Sequence, residues 1–256
     1  MDYRRRMPGW LGLVACLAGP SAWCGEPVQA DSPSRASPTE TVVLAGWFRR
    51  SDSAKPLPSW PRLDLDALPE EYRGRILALL EKPTIQAQGP AEAFHCQPVV
   101  YHWLLDHPDR AVEMWRKLGA EVTPISARGN DRFGWKDDQG SDMHWDVVVR
   151  APHEQVWYAE GVVRPGPLLP VVPVRALLVL HITAGHDAEG RSAVRHQAEL
   201  VLRTDSRAAN LAARLLGASA PRMAEQYVAQ IQTFFAALAW HLDEHPEKAR
   251  KLIGQE

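Results

Sequence analysis

Between Glu121 and Thr204 apolar and polar residues alternate with a period of two. Met143, Trp145, Val147 and Val149 fall on one side of a strand, with His144 and Asp146 on the other. Val156 to Val163 form the next strand. Val174, Ala176, Leu178, Leu180 and Ile182 mark another, and Val194, His196, Ala198, Leu200 and Leu202 the last, opposite Arg195, Glu199 and Arg203. Turn residues separate these runs: Gly129 and Asn130, Asp137 to Gly140, and Pro152 with His153. Strands at hairpin spacing with one apolar face predict an antiparallel sheet that needs a cover.

The flanking segments follow helical spacing. Leu68, Tyr72, Ile76, Leu79 and Leu80 predict a helix over Asp66 to Lys82, with Glu70 and Glu71 at its positive end and Pro83 stopping it. Thr84 to Phe94 has strand character. Two short helices follow, opened by Pro98 and Pro108 and closed by Gly119. After Thr204 comes a short helix over Arg207 to Leu216. A long one then carries Met223, Tyr227, Ile231, Phe234, Leu238 and Leu242 on one stripe. At about 22 residues it spans roughly 33 Å, enough to cross a whole sheet and supply the cover. Pro246 and Glu247 begin a last short helix.

The N-terminal quarter has a different pattern. Arg4, Arg5 and Arg6 precede an apolar run from Trp10 to Leu17, and small residues around Ala22 and Gly25 suit cleavage. Residues 1–24 therefore read as an export signal. The run is too short for a comfortable membrane span. Acylation of Cys24 is disfavoured because Trp23 stands where a small residue is wanted. Residues 25–62 read as a Pro-rich linker containing the apolar octet Thr41 to Phe48, and residues 63–256 as the folded domain. The expected location is periplasmic or secreted.

Charge removes one class of partner. A formal charge of -2 gives no electrostatic case for nucleic acid. The ten Trp residues promise an aromatic core or an aromatic-lined cavity. No phosphate loop, zinc-protease or nucleophile-elbow motif is present, so no catalytic set, metal or cofactor is assigned. His241 and His245 have the spacing of a metal pair but lack a third ligand. His144 and Asp146 share a strand face that reads as solvent-facing. Cys96, the one cysteine beyond the signal, reads as an inert buried thiol.

Strand, two short helices, antiparallel strands and a long closing helix resemble, over residues 83–245, the helix-grip superfamily of START-type lipid-transfer domains and polyketide cyclase-like proteins. The segment Val99-Val100-Tyr101-His102-Trp103-Leu104-Leu105-Asp106, followed by Trp115, carries the resemblance. The chain also resembles uncharacterised exported bacterial proteins. The resemblance implies an α+β fold in which a curved antiparallel sheet grips the C-terminal helix over a cavity. Candidate lining residues are Trp145, Leu178, Leu180, Leu200, Tyr227, Ile231 and Phe234. The stretch Pro165 to Pro173 is apolar yet too rich in proline for a central strand. Leu168, Leu169, Val171 and Val172 are therefore candidates for a lid or a peripheral membrane contact.

The partner so implied is a lipid or other apolar small molecule. A cyclase- or hydrolase-like enzyme using the same cavity, and a scaffold with a filled cavity, are the competing readings. An apolar lining favours binding, and convergent His, Asp or Glu inside it favours catalysis.

Overall fold

The computed structural model describes residues 63–164, 171–207 and 219–253. The expected signal and linker (residues 1–62), Leu168, Leu169 and nearly all of the short helix expected over Arg207 to Leu216 lie outside them. In chain order the elements are α1 (Glu70–Glu81), β1 (Ile85–Gln88), β2 (Glu92–His95), α2 (Pro98–Asp106), α3 (Pro108–Lys117) and β3 (Ser126–Ala127). There follow β4 (Arg132–Lys136), β5 (Asp142–Ala151), β6 (Glu154–Val163), β7 (Val172–His186), β8 (Ser192–Thr204), α4 (Ser219–Asp243) and α5 (Pro246–Ile253). The strands form one antiparallel sheet in the order β1-β8-β7-β6-β5-β4-β3, with β2 also paired to β8. A curved sheet with a long C-terminal helix across it is the α+β, helix-grip arrangement expected.

Local chemistry sets the boundaries. Pro98 and Pro108 occupy the first turns of α2 and α3, where a missing N–H costs nothing. Gly119 follows α3 at φ 91°, and Ala120 N–H returns to the Trp115 carbonyl, which satisfies the last turn. Between β4 and β5 the Asp137 carboxylate accepts the backbone N–H groups of Gln139 and Ser141, closing the turn.

Four expectations need correction. The strand expected over Thr84 to Phe94 is two strands, broken at Gly89-Pro90, which pair with successive stretches of β8. β7 begins at Val172, inside the proline-rich stretch. Pro173 is tolerated because it faces Val162 at the end of the ladder, before β8 pairs at Val174. Val172 is thus a buried strand residue and not part of a lid, while Val171 is exposed. The alternation in β5 breaks at a bulge between Val147 and Val149, so that Val149, expected on the inner side with Val147, joins Val148 on the outer face opposite Val156.

The fourth correction concerns the sheet's two sides. Its inner face, toward α4, carries the larger core, with Trp145, Trp157, Leu178, Leu200 and Phe235. Its outer face was expected to be solvated but is covered by α1. Ile76 and Leu79 of that helix pack on Val156, Tyr158, Leu177, Val179 and Val201. The unbroken apolar run Ala176 to Leu180 in β7 serves both cores, as a strand buried on two faces must.

Candidate functional site

The inner face is built from cross-strand rows. One row runs Phe133, Trp145, Ala159, Ala176, Leu202, Ile85. The next runs Val147, Trp157, Leu178, Leu200, Ala87. Phe133 and Trp145 stack with ring centres 6.0 Å apart, forming a wall at one side. Beside that wall the floor drops to two methyl groups, Ala159 and Ala176, on the central strands. Close by, Gly161 lets β6 approach β5: a Cβ there would lie 2.2 Å from the Asp142 carbonyl oxygen.

Ala159 and Ala176 are only half-buried, although larger neighbours in the same rows are closed off. Trp145, Leu178, Leu180 and Leu200 lie at the inner face and are buried there. On α4 the buried stripe is offset from the expected one. It runs Ala220, Ala224, Val228, Gln232, Phe235, Leu238, Ala239 and Leu242, while Tyr227, Ile231 and Phe234 stand half-buried on its flank. Trp115 fixes that flank: its indole N–H donates to the Phe234 carbonyl at 3.3 Å, and the two rings lie 5.3 Å apart. Phe235 instead reaches the sheet, 6.1 Å from the Trp157 ring.

Polar side chains gather at one end of the inner face. Glu92 lies opposite His196 in the β2–β8 register. His196 Nε2 is 3.4 Å from the Glu92 carboxylate, and its Nδ1 is 2.5 Å from the Tyr101 hydroxyl on α2. Phe94 packs edge-on against both Tyr101 and His196. Tyr101 and His196 are fully buried, and Glu92 is the end of the chain that solvent reaches. Burial holds the Tyr101 hydroxyl well above its ordinary range, with Cys96 and Glu92 adding to the effect, so it stays a neutral phenol. Burial likewise pushes the Cys96 thiol up to about 12, which leaves no thiolate for nucleophilic attack at neutral pH.

His144 and Asp146 belong to the other face. His144 lies 3.5 Å from Glu160, and the Asp146 carboxylate accepts a 2.6 Å hydrogen bond from Arg132 Nε. Asp146 is buried there, where solvent was expected.

Sequence reasoning missed four features of the site. They are the low floor at Ala159 and Ala176, Trp157, Phe235, and the Glu92–His196–Tyr101 chain. The pairing of Glu92 with His196 spans 104 residues and has no local signature. Trp157 was visible as a large residue on an apolar strand, but its neighbours across the sheet were not.

No protein-family model matches the sequence, and no curated protein matches it. Among solved structures, a conserved protein from Geobacillus kaustophilus is similar at 14% identity and a TM-score of 0.40, over 59% of this chain and 93% of its own. The di-domain ARO/CYC BexL of the BE-7585A biosynthetic pathway is similar at 12% identity and a TM-score of 0.38, over 66% of this chain and 53% of its own. A hypothetical protein from Helicobacter pylori is similar at 9% identity and a TM-score of 0.37, over 60% of this chain and 87% of its own.

Proposed function

We propose that the domain is an exported binding protein that holds a lipid or other apolar small molecule between the inner face of the sheet and α4. The observation that carries this reading is the half-buried state of Ala159 and Ala176 at the centre of that face. Central strands of a sheet under a covering helix are where apolar surface is normally sealed. Apolar area left wet forgoes about 25 cal/mol per Å² of stabilisation, which a bound apolar molecule would recover. Half-buried Ile231 and Phe234 on α4 would complete the enclosure. The arginines at 4–6 followed by Trp10 to Leu17 support placing the mature domain outside the cytoplasm.

Solvent extraction and mass spectrometry of the purified protein test the binding. The expected result is one apolar species recovered near one per chain. A clean extract from protein that also takes up no added apolar probe overturns the reading.

A second reading rests on the Glu92–His196–Tyr101 chain, which places an acid–base couple at one end of the same face. Under it, His196→Gln would change the chemical identity of the recovered molecule, substrate accumulating in place of product. Under binding alone the same molecule is recovered from both proteins.

A further inference from the structure

We infer that the molecule held at the inner face is uncharged and carries an oxygen that accepts a hydrogen bond from the indole N–H of Trp157, an inference that rests on the binding reading above. Two independent observations carry it.

The first is charge. Among the described residues, the inward positions of the strands bear no Lys or Arg: Phe133 and Trp135 on β4, Met143, Trp145 and Val147 on β5, and the alternate residues from Gln155 to Val163 on β6. The same holds from Val172 to Ile182 on β7 and from Val194 to Thr204 on β8. The buried side of α4 is likewise without charge. The charge that does face inward is Glu92, which repels an anion. A carboxylate or phosphate brought here would lose its hydration with no Lys or Arg at these positions to replace it, which opposes its binding.

The second is an unmet donor. Trp157 is 4% exposed, and its Nε1 is buried with no hydrogen-bond partner. Buried indole N–H groups normally find an acceptor, because leaving one unpaired forfeits a hydrogen bond made in water. Several other polar groups of this face have partners. Gln155 Nε2 donates to the Leu105 carbonyl, Gln232 Nε2 donates to the Pro90 carbonyl, and Tyr101 is bound to His196. Gln232 Oε1 is also without a partner, but it is pressed against Gly89, where a Cβ would lie 1.7 Å away. Trp103 Nε1 is unpaired as well, on α2, where its ring stacks on His107. Trp157 alone of these borders the low floor: Ala159 is the next inward residue on its own strand, and Ala176 is the cross-strand partner of Ala159. An ester, ketone or ether oxygen, or a hydroxyl, meets both conditions. A free fatty acid meets only the second.

The test is displacement of the uncharged fluorophore N-phenyl-1-naphthylamine by methyl laurate, laurate and dodecane at pH 8. Methyl laurate is expected to bind at least about tenfold more tightly than laurate. Trp157→Phe keeps most of the ring volume and removes the N–H. It is expected to weaken methyl laurate by about tenfold, the worth of one hydrogen bond, and to leave dodecane within about twofold. The Trp157 indole ¹⁵N–H resonance of the unaltered protein supplies a measurement independent of the variant: methyl laurate moves it downfield and dodecane does not. Laurate binding as tightly as its ester, or an unmoved indole resonance, overturns this inference while binding itself stands. An equal loss of dodecane and methyl laurate in the variant shows that Trp157 acts by shape, which also overturns it. Failure of the unaltered protein to take up the fluorophore or any of the three probes overturns the binding reading, and this inference with it.

Discussion

The two faces of the sheet bury comparable side chains but are finished differently. The outer face is stitched with polar groups. Arg132 holds Asp146, Tyr158 donates to Glu160, and His181 lies 3.7 Å from both Glu154 and Glu199. Its apolar centre, Val156, Leu177, Val179 and Val201, is sealed by α1. The inner face has aromatic walls, a floor of two half-buried alanines and, at the inward strand positions described, Glu92 as its charge and no Lys or Arg. Charged stitching fixes a geometry because each group must keep its partner. The outer face is therefore a closed core, and the inner face is the one that the proposed binding would use.

The sharpest way to break this comparison is to remove the inner cover. Phe235→Ala is expected to cost about 3–5 kcal/mol in chemical denaturation, because that ring is fully buried against Trp157. Its neighbour Phe234→Ala should cost about 1 kcal/mol, being half-buried on the flank. Equal losses would mean that α4 sits in a different rotation.

Adding volume separates the faces further. Val179→Phe, at a sealed outer position, is expected to cost about 1–3 kcal/mol through overpacking. Ala176→Leu, on the inner floor, should change stability by less than about 0.5 kcal/mol yet reduce uptake of the uncharged fluorophore. If Ala176→Leu destabilises as much as Val179→Phe, the inner face is as tightly filled as the outer.

The smallest effect is a pH dependence on the outer face. Burial raises the Glu154 carboxyl above its ordinary value, against the opposing pull of His181 and His153. A raised folded-state value means that the stability present at low pH is lost as pH climbs through it. Glu154→Gln should therefore gain on the unaltered protein, by less than about 1 kcal/mol, as pH rises from about 3 to 7. A gap that stays constant across that range would show that the carboxyl is not penalised by burial.

Much of the architecture was legible because it is written in local periods. Pro98, Pro108 and Gly119 announce helix ends in one residue each, and the alternations around Trp145, Leu178 and Leu200 place three strands and their inner face. The offset on α4 was not legible, for a physical reason. Large residues at 223, 227 and 234 outweigh small ones in a hydrophobic pattern. A helix lying close on β1 and β2 presents small side chains to the sheet, here Ala224 and Val228, and moves Tyr227 and Phe234 to its flank. The cover by α1 could have been inferred from the unbroken apolar run in β7, but the alternation in β8 suggested a wet outer face. Arg195 and Arg203 do reach solvent there, while Glu199 between them is buried beside His181. The low floor depends on Ala159 facing Ala176 across a strand boundary, a fact of register and not of sequence.

The break at Gly89-Pro90 has a consequence for how molecules of this protein meet one another. β8 is 13 residues long, and a bare edge of that length would offer a row of unpaired backbone groups to any other extended chain. Instead that edge is covered by two four-residue strands with a proline between them, and at the far end of the sheet β3 has only two residues. Pro90 has no N–H to give, and its carbonyl is already taken by Gln232. Neither border of the sheet offers the long, flat ladder on which strands from separate chains stack, so even a domain with a wide apolar interior is poorly suited to seed fibrils through its edges.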